Sequence, residues 1–223
     1  MLDYSNIMGI IKNYLYLICF LALSFASAAQ DSKIKYYEDG TIKAEGVAKN
    51  GIKSGLWKFY YPNGRISSEE LYHEGQLHGL IRYYDDEGNV LALENWMEGI
   101  QQDSSIYYYP NGQVEKKGIF KDGLYNGRWL FFYANGKLKK RGFYTEGLPE
   151  SDWKFYYENG VLFQEGKFHN GLEDGAWRFY TSKGQLEYFG SFIKGENTGQ
   201  WFRVTKKGKQ KPYQYTNPIQ TDL

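Results

Sequence analysis

Glycine returns every 24 residues along this chain, at Gly40, Gly64, Gly88, Gly112, Gly136, Gly160, Gly184 and Gly208. A second series with the same step runs through Gly51, Gly75, Gly99, Gly123, Gly147, Gly171 and Gly195. Trp57, Trp129, Trp153, Trp177 and Trp201 lie on a third, and Ile81 and Ser105 take its two remaining places. No insertion or deletion disturbs the register from Lys35 to Gly208. A fixed period of this length marks a tandem array, in which each unit is one supersecondary element that buries its apolar face only against its neighbours.

The unit beginning at Trp57 reads W-K-F-Y-Y-P-N-G-R-I, then a polar stretch, then Leu71-Tyr72 and Gly75. Asn63-Gly64, Asn111-Gly112, Asn135-Gly136 and Asn159-Gly160 are read as two-residue hairpin turns, because both residue types tolerate positive φ. The flanks alternate or are aromatic, and nothing between Lys35 and Gly208 has helical periodicity. Such a turn sets Tyr61 opposite Ile66, Phe59 opposite Ser68 and Trp57 opposite Glu70. A second turn at Gly51-Ile52 sets Gly46 opposite Trp57 and Ala44 opposite Phe59. On this grid tryptophan occurs where the residue eleven earlier is glycine, and where Glu70 or Glu94 replaces that glycine, Ile81 or Ser105 replaces the indole. An indole lying over a cross-strand glycine explains the covariation. The same logic predicts Tyr72 over Gly79, Phe120 over Gly127, Phe168 over Gly175 and Phe192 over Gly199.

The expected fold is therefore all-β: an elongated, twisted, single-layer antiparallel sheet of tandem β-hairpins. One face carries Trp57, Phe59, Tyr61, Ile66, Tyr72 and their equivalents, and the other carries Lys58, Tyr60, Arg65, Ser67 and Glu69. Aromatics at 19% and 26 glycines agree with pleated strands joined by many turns. Two strands per unit give a rise of roughly 10 Å. The unit containing Glu94, Asp103 and Ser105 departs most from the pattern. It reads either as tolerated drift or as a hinge or partner's footprint, with Trp96, Met97 and Tyr107-Tyr108-Tyr109 beside it.

The runs F-Y-Y-P-N-G-R-I, F-F-Y-A-N-G-K-L and F-Y-Y-E-N-G-V-L, followed by G-x-[YF]-x-x-G-x-x-x-G-x-W, resemble MORN repeats, most closely the bacterial variant type. The resemblance covers residues 35–208. It implies a solenoid-like sheet of hairpins with a scaffold or interaction role and no catalytic residues. Some bacterial members are labelled antitoxins of the YwqK type.

The ends divide the chain further. Lys12, an apolar run from Tyr14 to Phe25 and the small residues Ala26-Ser27-Ala28-Ala29 form the three parts of a cleavable signal, expected over residues 1–29, with Met8 as an alternative start. The run is short for a membrane span. Cys19, the single cysteine, lies inside it after Leu17-Ile18, so a mature chain has neither a disulfide nor a thiolate metal site. Residues 30–208 are the array, about seven units, and 209–223 are a polar tail expected to be loosely ordered.

Little chemistry is visible. His73 and His169 share a column four units apart, roughly 40 Å, and His78 sits at a turn. Carboxylates at Glu69-Glu70, Asp85-Asp86-Glu87 and Glu173-Asp174 lie on turns or the polar face, without the pocket that general acid–base work needs. No enzyme activity, cofactor or metal is expected. The net charge of +1 gives no reason to propose nucleic acid or an anionic membrane. Tyr60, Tyr84, Tyr108, Tyr156 and Tyr180, on the face opposite the tryptophans, and Trp96 are the candidate partner-binding residues. The leading reading is an exported scaffold or adaptor for a protein partner, in the periplasm, associated with the outer envelope or secreted. A toxin-neutralising antitoxin or immunity protein and a cell-wall or glycan binder are the alternatives.

Overall fold

The computed structural model describes residues 30–216. The signal read in residues 1–29, Cys19 within it, and the end of the tail lie outside the described residues. The described chain forms β1 (Gln30–Tyr36), β2 (Ile42–Lys49), β3 (Ile52–Tyr60), β4 (Ile66–His73), β5 (Gln76–Leu77), β6 (Gly79–Tyr84), β7 (Val90–Met97), β8 (Ile100–Tyr108) and β9 (Val114–Lys121). It continues through β10 (Leu124–Phe132), β11 (Leu138–Thr145), β12 (Leu148–Tyr156), β13 (Leu162–His169), β14 (Leu172–Tyr180), β15 (Leu186–Ile193), β16 (Glu196–Val204) and β17 (Gln210–Tyr213). Neighbours in sequence pair antiparallel, and β5 and β6 both pair with β4 as halves of one interrupted strand. The result is a single open 17-stranded meander, the all-β hairpin array that the period predicts.

Two kinds of turn alternate. Asn50 and Gly51 have φ of 52° and 79°, and Lys49 faces Ile52 across them. This is a two-residue turn of the kind whose twist matches the flanking strands. Glu74-Gly75, Glu98-Gly99, Asp122-Gly123, Glu146-Gly147, Asn170-Gly171 and Lys194-Gly195 repeat it. The turn thus lies one residue earlier than Gly51-Ile52. Ala44 still faces Phe59, but Val47 faces Ser54, and β3 absorbs the offset around Gly55, whose φ is 68°.

The Asn63-Gly64 turn is of the other kind. Gly64 N–H donates to the Tyr61 carbonyl at 2.9 Å, Tyr61 N–H donates to that of Arg65 at 2.8 Å, and of Asn63 and Gly64 only the glycine has positive φ. Pro62, with φ held near −65°, suits the first central position of a type I turn, and Gly64 takes the left-handed place after it. Trp57 faces Glu70 and Phe59 faces Ser68 as expected, whereas Ile66 faces Tyr60 and not Tyr61. Tyr61 belongs to the turn, outside the aromatic face assigned to it.

The tryptophans lie over their glycines. A Cβ placed on Gly46, Gly118, Gly142, Gly166 or Gly190 would stand inside the indole of Trp57, Trp129, Trp153, Trp177 or Trp201. The ring also bonds to the backbone beside each glycine, where the register shifts. Nε1 of Trp57, Trp129, Trp153 and Trp177 donates to the carbonyls of Val47, Ile119, Phe143 and Lys167 at 2.8–3.2 Å. These indoles are no more than 2% exposed although the sheet is one layer thick. Rings of adjacent repeats cover them: Trp153 meets Tyr144 and Phe168 edge-on at centroid distances of 5.0 and 5.7 Å.

The second set of glycine pairings does not form. Tyr72 faces Leu77, Phe120 faces Tyr125, Phe168 faces Glu173 and Phe192 faces Asn197. Gly79, Gly127, Gly175 and Gly199 instead have φ of 63–93° and mark the irregularity that takes up the register offset. Their requirement is backbone conformation, and at Gly127, Gly175 and Gly199 the space for a side chain is open. Asp103 and Ser151 hold the same position with φ of 59° and 61°.

The sheet also runs past Gly208. β17 pairs with β16, and Tyr215 stacks on Trp201 with ring centroids 4.1 Å apart, so the start of the tail is ordered as a cap.

Candidate interaction surface

The candidate tyrosines lie on the face opposite the tryptophans, but all five are half-buried. Tyr60, Tyr84 and Tyr180 donate their hydroxyls to Glu45, Glu69 and Glu165 of the preceding strand at 2.5, 2.9 and 2.8 Å. Burial first, then the carboxylate each one faces, pushes Tyr60 and Tyr180 up to about 12 and raises Tyr84. Tyr108 and Tyr156 occupy the same column beside Leu93 and Arg141. Trp96 is on the tryptophan face, where Nε1 donates to Glu94 at 3.0 Å. The candidates are therefore not brought into one site.

Around Trp96 the aromatic face turns polar. Glu94 also accepts from the Tyr107 hydroxyl at 2.8 Å, and Gln101 Nε2 donates to Ser105 and Tyr107 at 3.1 and 2.9 Å. Glu70 accepts from Ser68 and Tyr72 at 2.8 and 2.5 Å. Each glutamate that replaces a glycine thus accepts from hydroxyl or indole donors, and its reduced partner, Ile81 or Ser105, remains buried.

Both edges of the array are stitched from repeat to repeat. At the Pro-Asn-Gly edge, the hydroxyls of Tyr37, Tyr61, Tyr109, Tyr133 and Tyr157 donate to carbonyls 23 residues on. Asn63, Asn111, Asn135 and Asn159 add parallel bonds over the same span. At the opposite edge, Gly75, Gly99, Gly123, Gly147, Gly171 and Gly195 donate N–H to carbonyls of the preceding repeat at 2.9–3.0 Å. Asp85 and Glu87 stand where the tyrosine and asparagine should be. Asp85 caps its own turn, accepting from Glu87 N–H and Asn89. Among the described residues no side chain joins that turn to the one at 109–112. The turn at Thr181 lacks the stitch as well.

Exposed apolar surface collects at the other edge. Ile52, Ile100, Leu124, Leu148 and Leu172 follow the turn glycine in successive units, with Gln76 interrupting, and each is 47–52% exposed. Leu124, Leu148 and Leu172 lean toward Gly147, Gly171 and Gly195 of the next repeat, so the row is a continuous ridge. Beside it stand Glu74, Glu98, Asp122 and Glu146, at the first turn position. The ridge has a signal in the sequence, an aliphatic residue after the turn glycine in five of the seven units, with Gln76 and Glu196 in the other two. The aromatic columns are consumed in packing and internal hydrogen bonds.

The histidines do not converge on a site. His73 and His78 lie with ring centroids 5.6 Å apart on the surface, and His169 contacts Glu150 at 3.1 Å. Among the described residues no group of three or more His, Cys, Asp or Glu is placed to hold a metal ion.

The family profile for the MORN repeat variant matches residues 53–74, 104–122, 125–146 and 149–170. No curated protein matches the chain. Among solved structures, the chain resembles crystal structures of TcdB2–TccC3 with Cdc42, of TcdB2–TccC3, and of the latter without its hypervariable C-terminal region. Each shares 14% identity over 80% of this chain and 13% of the other, with a TM-score of 0.18. Its repeats and its open sheet of hairpins place the chain in the MORN-repeat family, with units of the variant type.

Proposed function

We propose that the protein is an exported, non-catalytic scaffold that holds an elongated polypeptide partner along the edge formed by its two-residue turns. The observation that carries this reading is the exposed ridge from Ile100 to Leu172 beside Glu98, Asp122 and Glu146. A row of apolar side chains repeating every ~10 Å suits an extended chain better than a compact small molecule. The acidic turn residues favour basic flanks on that partner and oppose an anionic surface. Export is supported by the three-part signal in residues 1–29.

Photo-crosslinking in the native cell tests this reading. A benzophenone side chain at Leu124 or Leu148 should capture one defined protein, and the same group at Lys183 should not. Leu124→Asp combined with Leu172→Asp should abolish capture from Leu148 while the fold persists. Equal capture from all three positions, or capture unaffected by the paired aspartates, overturns the ridge as the docking edge. A toxin as the captured protein would make the scaffold an immunity protein.

A further inference from the structure

Across its two-residue turn, each repeat sets one pair of side chains directly opposite on the face away from the tryptophans. Glu45 faces Lys58, Glu69 faces Arg82 and Glu165 faces Arg178. The other pairs contain an apolar residue, with one exception. There Arg141 faces Lys154. Like charges set directly opposite one another on a sheet are destabilising. Arg128, which faces Phe143 on the same side of the sheet, brings a third cation beside them.

Pairing within the chain leaves two of these charges uncompensated. Lys154 Nζ reaches Glu165 at 3.0 Å, and Lys167 stands 4.0 Å from Asp152. Arg128 lies over the Phe143 ring with Cζ 5.4 Å from its centre, and neither it nor Arg141 has an ion pair or side-chain hydrogen bond among the described residues. Both arginines are exposed. With Asp152, Lys154 and the Gly142 backbone they line a hollow of about 180 Å³, and Phe143, 40% exposed, forms its apolar side. Arg128 and Arg141 are diagonal neighbours on adjacent strands, about 7–8 Å apart at Cα. The contact with Phe143 holds Arg128 opposite residue 143, so the two guanidinium forks suit two separate anionic groups better than a single one.

We propose that this hollow binds a short dicarboxylate, one carboxylate in the fork of Arg128 and the other in that of Arg141. Its two negative charges balance the two uncompensated guanidinium groups, and each planar carboxylate matches a planar fork. The carbon chain between them lies along Phe143, and the Asp152 carboxylate opposes the anion. The site is on the sheet face, apart from the turn edge that takes the polypeptide, and neither requires the other.

The test titrates the full chain at neutral pH with succinate, with butyrate and with inorganic phosphate, following the arginine Nε–H resonances by NMR. Succinate should shift the Arg128 and Arg141 resonances together and bind at least about tenfold more tightly than butyrate, which can fill only one fork. Arg128→Gln and Arg141→Gln should each remove that preference, and Arg141→Lys should keep only part of it, since lysine supplies a point charge without a fork. Arg82→Gln, which alters a pair in another repeat, should change nothing. Asp152→Asn should tighten succinate, a gain that damage to the fold does not produce. Equal binding of succinate and butyrate, phosphate binding as tightly as succinate, or succinate binding indifferent to loss of either arginine overturns the proposal.

Discussion

The indole of Trp153 fills the space that a side chain on Gly142 would need, and its Nε1 donates to the neighbouring Phe143 carbonyl at 3.2 Å. Glycine and tryptophan therefore act as one unit, written into two strands. Gly142→Ala should cost about 1–3 kcal/mol, as overpacking does. In a Trp153→Ser background the same alanine should be nearly neutral, because its obstacle is gone. Denaturant unfolding of the two single variants and the double gives the coupling, expected at roughly 1–3 kcal/mol. Additive costs would show that the glycine serves something other than the ring.

Trp201 separates packing from hydrogen bonding. Its buried Nε1 has no partner among the described residues, unlike that of Trp153. Trp153→Phe should thus cost about 1 kcal/mol more than Trp201→Phe, the net worth of one hydrogen bond. Thermal melts of the two variants provide the comparison.

Asp103 and Ser151 occupy left-handed positions that Gly55, Gly79, Gly127, Gly175 and Gly199 fill elsewhere. Both side chains are exposed. Replacing either with glycine should stabilise the protein by about 0.5–1 kcal/mol, since relief of the left-handed penalty exceeds the entropy that glycine adds to the unfolded chain. A lower melting temperature for both variants would contradict this account of the column.

Much of this was readable beforehand, for definite reasons. The strands and the Trp-over-Gly pairs follow from a period and a covariation, which need no coordinates. The turn chemistry is not legible from Asn-Gly alone, which is compatible with two turn geometries, and Pro62 decides between them only when weighed with it. The glycines at 79, 127, 175 and 199 look like holes in the sequence, which shows a missing side chain but not a positive φ. The tyrosines look free for binding in the sequence because their carboxylate partners, such as Glu45 for Tyr60, lie fifteen residues away and carry no local signal.

Hydrogen exchange should find a weak step between the turn at Asp85 and the turn at 109–112, where, as after the turn at Thr181, the tyrosine and asparagine bonds are missing. Amides of 85–89 and 109–113 should exchange faster than those of 133–137 and 157–161. The opposite edge should remain protected there, because Gly99 and Gly123 keep their inter-repeat bonds and Gln102 pairs with Asp122. Uniform protection would rule out a one-sided hinge.

Alkaline pH should unfold the array through its phenols. Tyr60 and Tyr180 hold their protons to about 12 in the folded chain against 10.0 for an ordinary tyrosine. Below about pH 10 both states are protonated and this contribution to stability is complete; it declines as pH rises from about 10 through about 12. Tyrosinate absorbance at 295 nm should lag in the folded protein and then rise together with loss of the β-sheet signal. Replacing both residues with phenylalanine should flatten that decline.

The tyrosine and asparagine bonds between repeats each span 23 residues. A chain whose repeats are joined in this way, each to its neighbour, has no ring to complete and no required number of units. Loss or duplication of one whole period in the gene brings together surfaces that already match, so length can drift by slippage without a folding crisis. Each added period lengthens the molecule by about 10 Å. Selection on such a protein then acts as it does on a measuring rod, counting whole units against the distance to be spanned.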